Sequence, residues 1–312
     1  MDILVLSLNI ILPLFLSIGL GYYIKKINLI DDHAIEIINK LTFTIFLPLV
    51  LFYNIYTSDI GESFDFNLLL FALITVTLIF ILALVLIPKL EKDHTLCGVM
   101  AQAMFRSNFI IFGIPIASAL GGAAAVGTTT ILIAVIVPYF NILAVVCFEV
   151  FRKGKVDGKK IIKGIITNPL IIASFFGFLL LFLKIQLPFA IEKTILDLSK
   201  IATPLALVTL GSSFCFSAAK QYTKQIKITI FASLFLSPII FITLAILLGF
   251  RDSSLIALIP MYAAPPAVSS FTMAKQLGGN QELAGILIVI GTLISAFTLF
   301  FFISILKAFS FI

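Results

Sequence analysis

The chain has 312 residues, of which 61% are apolar, and its mean hydropathy is +1.20. Soluble domains use roughly 45–50% apolar residues, so this composition excludes an ordinary water-soluble protein and indicates one embedded in a lipid bilayer. Apolar blocks run from end to end and leave no room for a sizeable aqueous domain. The net charge of +6 does not indicate nucleic acid as a partner, because in a membrane protein the position of Lys and Arg matters more than their sum.

Ten apolar segments meet or approach the length of about 20 helical residues that a bilayer core requires. They lie near 4–24, 38–57, 66–88, 96–121, 125–151, 168–185, 201–217, 227–249, 253–276 and 281–307. The seventh is short, and we expect the amphipathic stretch before it to lead into it. Lysines follow the first segment rather than precede it, the reverse of a cleavable signal peptide, so a retained first span is expected.

Basic residues are distributed unevenly between the two sets of connectors. Fifteen lie after the odd-numbered segments or at the start of the second, and five lie on the opposite side together with the acidic loop "TSDIGESFD". The positive-inside rule makes the richer side cytoplasmic. We therefore expect a multi-pass protein of the cell membrane with both termini outside. Arg106 is the one basic residue left inside a segment.

Helix-breaking residues interrupt the fourth and ninth segments. "FRSNFIIFGIPIASALGG" (105–122) contains Gly113 and Pro115, and "IPMYAAPPAVSS" (259–270) contains Pro265 and Pro266. Proline removes a backbone donor, so a helix breaks at or just before it. We expect half-helices that begin at Pro115 and Pro266 and turn their N-termini, which favour anions, towards the middle of the protein. Gly113 would let the two broken helices cross closely; ordinary proline kinks are the alternative.

A weak internal repeat relates the two halves of the chain. At an offset of 156 residues, Pro13 falls on Pro169 and Gly21 on Gly177. Halves with five spans each insert in opposite directions, which is the inverted-repeat plan of many secondary transporters. The predicted organisation is a first repeat, a short basic cytoplasmic connector and a second repeat, at 1–152, 153–163 and 164–312.

Four stretches together resemble the auxin efflux carrier family, which includes plant PIN-type carriers and bacterial malate and malonate permeases. They are "NFIIFGIPIA" (108–117), "NPLIIASFFGFLL" (168–180), "ATPLALVTLGSSF" (202–214) and "APPAVSSFTMAKQLGGNQELAG" (264–285). The resemblance implies an all-α membrane fold of the sodium/proton antiporter type: ten helices in two inverted five-helix repeats, with broken helices four and nine crossing at a carboxylate site. It also implies a mobile, elevator-like transport domain. The long central loop of many plant members is absent, as in the compact bacterial type.

Five polar residues are candidates for binding the substrate. Arg106 costs at least about 2.5–3.5 kcal/mol inside a span, and its planar guanidinium suits a carboxylate; the alternative is that it extends to the cytoplasmic interface. The Asn108 amide can bind substrate or satisfy the broken backbone. Asn141, Ser269 and Ser270 are expected as further lining residues.

The function predicted from these features is secondary transport of small organic anions, auxin-like or mono- and dicarboxylates, by alternating access. Few acidic residues lie in the spans, which favours uncoupled efflux driven by the electrochemical gradient. The alternative is a proton- or sodium-coupled symporter of carboxylates or of the bile-acid type. No HExxH, GxSxG or aspartate pair occurs in the spans, so no enzyme activity, metal site or cofactor is expected. A homodimer remains open.

Overall fold

The structure is a computed structural model that describes residues 3–58, 65–152, 158–214 and 218–312. Within these ranges the regular structure is helical apart from one isolated β-bridge, which confirms the all-α prediction. Three features of the sequence lie wholly or partly outside the described residues. They are Cys215, most of the acidic loop after the second segment, and the first part of the basic connector.

The described residues form α-helices and two π-helical turns. The first half contains α1 (Ile3–Lys26), α2 (Asp32–Leu41), a π-helical turn (Thr42–Phe46), α3 (Leu47–Tyr56), α4 (Phe66–Leu90), α5 (His94–Phe105) and α6 (Phe109–Val150). The second half contains α7 (Gly158–Ile166), α8 (Pro169–Phe182), α9 (Phe189–Ser199), α10 (Ala202–Ser212), α11 (Ala218–Gln221), α12 (Thr223–Phe231), a π-helical turn (Ala232–Leu236), α13 (Ser237–Leu247), α14 (Asp252–Ala263), α15 (Ser269–Leu277) and α16 (Gln281–Ala308).

Seven helices in the described ranges are long and apolar enough to cross a membrane, so the chain is a membrane protein with transmembrane helices. The remaining predicted segments differ in form. The fourth and ninth are broken, and the sixth, Pro169–Phe182, is a shorter apolar helix. α6 has 42 residues because it comprises two helices joined at a residue whose backbone is not helical. It kinks at Gly122 (φ 61°, ψ −147°), between the predicted fourth and fifth segments.

The burial pattern fits a protein surrounded by lipid. α1 exposes an apolar side chain at every fourth position on one face, at Leu8, Leu12, Leu16 and Leu20. α5, α14 and most of α6 are buried instead. The two broken segments therefore lie in the interior, where their freed backbone groups depend on protein partners.

Helix boundaries in the second half repeat those in the first. Phe66–Leu90 and Thr223–Leu247 both have 25 residues, and their starts are 157 residues apart. α5 and α14 both have 12 residues, and their starts are 158 apart. The offset is close to the 156 residues found in the sequence.

Tight helix contacts join the halves in matching places. The backbone of Gly21 in α1 lies against Val208 of α10, where a Cβ would be 2.0 Å from the Val208 carbonyl oxygen. The backbone of Gly177 in α8 lies against α3, where a Cβ would be 3.1 Å from the Phe52 carbonyl oxygen. Gly21 and Gly177 are 156 residues apart in sequence, and so are Phe52 and Val208.

We expect Gly21→Ala to lower the free energy of unfolding by about 1–3 kcal/mol, because the added methyl group forces α1 and α10 apart. Gly19→Ala is the matched control, because it lies in the same helix and a Cβ added there would have no atom within 4 Å. Thermal unfolding of the purified variants measures the difference. Equal melting temperatures for the two variants would contradict the packing described.

Candidate functional site

The first break separates α5 from α6 and comprises residues 106–108. The sequence predicted that a half-helix begins at Pro115, and this was wrong: Pro115 is the seventh residue of α6, inside a continuous helix. The break occurs earlier because the backbone N–H of Asn108 donates to Pro265 rather than to its own helix. Gly113 is also away from the crossing, since its nearest neighbours, Phe109 and Thr129, belong to α6 itself.

The second break separates α14 from α15 and contains Pro265 and Pro266. The two breaks cross as a short antiparallel bridge centred on Ser107 and Pro266. The N–H of Asn108 donates to the carbonyl of Pro265 at 2.7 Å, and the N–H of Ala267 donates to the carbonyl of Arg106 at 3.1 Å. Each break thus satisfies backbone groups that the other exposes, as membrane-buried backbone requires.

A cavity of about 70 Å³ lies beside this crossing. Four of the predicted residues line it: Arg106, Asn108, Asn141 and Ser269. Ser270 is buried but is not among the lining residues, so the structure does not bring it to the cavity. The rest of the wall is mainly apolar and comes from α3, α6, α8 and α10, through Leu47, Val50, Leu51, Ile110, Ile111, Val137, Leu170, Ala206 and Val268.

Arg106 is 3% exposed, which excludes the alternative that it extends to the membrane surface. Its Nη2 donates to Asn141 Oδ1 at 2.6 Å and to Ser269 Oγ at 2.9 Å, and its Nη1 contacts the sulfur of Met273. In the described part of the chain, no carboxylate forms an ion pair with it. Its cation is therefore held by neutral groups alone.

Two helix N-termini point at the same cavity. Ile110 and Ile111, in the first turn of α6, line it, and so does Ser269, the first residue of α15. First-turn N–H groups have no partner within their helix, and the helix macrodipole adds partial positive charge at this end. Together with Arg106 they make the cavity strongly electropositive.

Two amide side chains are free to bind a ligand here. Asn108 precedes α6 but forms no capping hydrogen bond with its side chain. Asn141 accepts from Arg106 through Oδ1, while its buried Nδ2 has no partner among the described residues. Both can donate hydrogen bonds to an acceptor in the cavity.

The comparison with known families identifies the chain. The family model described as "Membrane transport protein" matches residues 6–303. The chain belongs to this family, the auxin efflux carriers. A Rhizobium meliloti (strain 1021) protein named "Putative malonate transporter" is 25% identical over 298 residues, which cover 93% of this chain and 92% of that protein. A Methanothermobacter thermautotrophicus protein named "Uncharacterized transporter" is 22% identical over 305 residues, covering 94% and 96%.

One polar residue that lines the cavity of this auxin efflux carrier family member was not predicted from the sequence. Thr203, near the start of α10, lines the cavity opposite the crossing. Its stretch "ATPLALVTLGSSF" is one of the four on which the family resemblance rests. Thr203 was not a candidate because a Thr followed by a proline is common at the start of an ordinary helix. Only the packing of the two halves brings it near Arg106.

We expect Ser269→Ala to lower the free energy of unfolding by about 1.5–3 kcal/mol, because it removes a hydrogen bond to a buried charge. Ser270→Ala is the matched control, since the Ser270 hydroxyl is buried, has no described partner and does not line the cavity. Chemical or thermal unfolding in detergent compares the two. A larger loss for Ser270→Ala than for Ser269→Ala would contradict the arrangement.

Proposed function

We propose that this protein is a secondary carrier that moves small organic anions across the cell membrane by alternating access, with the cavity beside the crossing as its binding site. The observation that carries the proposal is the Arg106 cation, buried between two helix N-termini with no carboxylate partner among the described residues.

A buried charge with only neutral partners is costly, because its lost hydration is not repaid by an opposite charge. At Arg106 the cost is increased by the positive ends of α6 and α15. An anion in the cavity would relieve both, and a carboxylate fits the planar donor pattern of a guanidinium. The free amides of Asn108 and Asn141 supply further donors.

The name of one relative supports a carboxylate as the substrate. The name of the Rhizobium meliloti protein refers to malonate, a small carboxylate, and the family is one of transporters. We therefore propose mono- or dicarboxylates, including auxin-like acids, as the substrate class.

The chain organisation supports a two-repeat carrier. We propose ten membrane segments, with α5 and the first part of α6 as the fourth and α14 with α15 as the ninth. The recurrence of helix boundaries at 156–158 residues supports repeats at 1–152 and 164–312. The antiparallel bridge supports opposite orientations of the two repeats. The charge distribution of the connectors favours termini outside the cell.

The composition of the cavity wall supports movement of one group of helices against another. Leu51 of α3, Leu170 of α8 and Thr203 of α10 contribute to the wall together with Arg106 at the crossing and Asn141 of α6. A site shared between two packed groups becomes accessible from alternate sides when one group slides, as an elevator-like mechanism requires.

No described residue that lines the cavity is acidic, so the described wall holds no carboxylate that could take up a proton together with the substrate. For an uncoupled monoanion, an inside-negative membrane potential favours export by about 2.3 kcal/mol per 100 mV. We therefore propose efflux as the direction that the potential drives.

The test is binding of malonate and of indole-3-acetate to the purified protein, followed by thermal shift, with counterflow of the labelled acid in vesicles. We expect at least one acid to stabilise the wild type. Arg106→Gln, which keeps much of the length of the side chain but removes its charge, should weaken binding at least tenfold. Ser270→Ala should bind as the wild type does. Equal stabilisation of Arg106→Gln and wild type would overturn this site.

A further inference from the structure

A second, smaller cavity of about 10 Å³, room for a single water-sized species, lies among the helix ends that meet at the crossing. It is lined by the last residues of α5, by the last residues of α14 and the start of the second break, and by three serines. The lining residues at the helix ends are Ala103, Met104, Phe105, Met261, Tyr262 and Ala264, the serines are Ser107, Ser233 and Ser237, and α4 contributes Val76 and Ile79. Whereas helix N-termini point at the first cavity, helix C-termini end at this one.

The end of α5 leaves backbone carbonyls without donors. In a continuous helix, the carbonyls of Ala103, Met104 and Phe105 would accept from the N–H groups four residues later. The N–H of Asn108, the donor for Met104, bonds to Pro265 instead. No N–H among the described residues donates to any of these three carbonyls.

At the end of α14, two carbonyls lack their usual donors because prolines follow in the sequence. The residues four positions after Met261 and Tyr262 are Pro265 and Pro266, which have no N–H to donate. The Met261 carbonyl accepts from the Ser107 hydroxyl at 2.8 Å. The Tyr262 carbonyl accepts no hydrogen bond from the described part of the chain.

The negative ends of both helices are also without a cationic side chain. Neither α5 nor α14 has a basic residue in its last turn. Arg106 follows α5 directly, but its guanidinium is bound to Asn141 and Ser269 at the first cavity. The partial negative charge at the two C-termini therefore has no counter-charge in the described residues.

Ser233 provides an independent indication of a ligand. It lies in the π-helical turn Ala232–Leu236, is 5% exposed and lines the second cavity. Its hydroxyl has no hydrogen-bond partner among the described residues. A buried hydroxyl that faces a small cavity without a partner indicates a missing bound species. π-helical turns are frequent at functional sites.

From this geometry we propose that the second cavity binds one Na⁺ ion. Unwound carbonyls, helix C-termini and serine hydroxyls are the neutral oxygen ligands that hold Na⁺ in membrane carriers. None of the described lining residues is acidic, so the described wall lacks the carboxylates that a divalent cation would need. Because the cavity has room for only one water-sized species, the short oxygen contacts of Na⁺ fit it better than the longer contacts of K⁺.

The same two breaks separate this cation from the organic anion of the proposed function. Na⁺ would neutralise the C-termini of α5 and α14, and the anion would neutralise the N-termini of α6 and α15. Na⁺ is proposed here as an ion that stays bound and stabilises the crossing, so the uncoupled movement of the anion proposed above is unchanged.

The test measures melting temperature in NaCl, KCl and choline chloride at equal ionic strength, without any organic acid. We expect a saturable rise of several degrees in Na⁺ alone. Ser233→Ala should raise the half-saturating Na⁺ concentration at least tenfold. Ser270→Ala is the matched control. It removes another buried hydroxyl that has no described partner, but Ser270 does not line the second cavity, so the Na⁺ dependence should be unchanged.

Equal melting temperatures in the three salts would overturn the proposal and indicate that the cavity holds only water. An unchanged Na⁺ dependence in Ser233→Ala would overturn it as well. If that variant does not fold, binding of ²²Na⁺ to the wild type at one ion per chain supports the site, and its absence overturns it. Arg106→Gln separates the two proposals, since it should keep the Na⁺ response while losing the anion response.

Discussion

The structure depends on one interaction, the pair of backbone hydrogen bonds by which two interrupted helices cross. Asn108 donates to Pro265, and Ala267 donates to Arg106. Unpaired peptide groups are costly in a bilayer, so each interruption is stabilised by the other. The two donors are 159 residues apart in sequence, and so are the two acceptors, which places Ser107 and Pro266 at the centre of an internal symmetry. The weak repeat in the sequence therefore has its clearest physical expression at the crossing.

The crossing also separates helix ends of opposite partial charge. Two helices begin at the larger cavity and two end at the smaller one, so their macrodipoles give the cavities opposite signs. Arg106 adds a full positive charge to the side that is already positive, and its neighbours Asn141 and Ser269 hold it in place without neutralising it. In water such a cation would be solvated. Here, in a site with few polar partners, the missing negative charge is best supplied by a ligand.

Local sequence patterns predict much of the fold, whereas the site depends on how distant segments pack against each other. Runs of apolar residues predicted the membrane helices closely, and Pro265 and Pro266 lie in the second break because two adjacent prolines cannot continue a helix. The half-helix was predicted to begin at Pro115, six residues after its actual start at Phe109. A single proline is tolerated inside a helix, and the break is instead stabilised by a hydrogen bond to a residue 157 positions away. For the same reason the sequence could not show that Thr203 lines the cavity and that Ser270 does not, because this depends on how the helices pack together.

The central claim is that the negative charge missing beside Arg106 is supplied by the transported anion. Asn141→Asp tests it most directly, because it places a carboxylate 2.6 Å from the guanidinium, where an amide oxygen now lies. The measurement is the melting temperature of this variant with and without the acid that stabilises the wild type. We predict a higher melting temperature than wild type without the acid, since a buried ion pair replaces an unpaired cation, and no further rise when the acid is added. Stabilisation by the acid equal to that of the wild type would contradict the account.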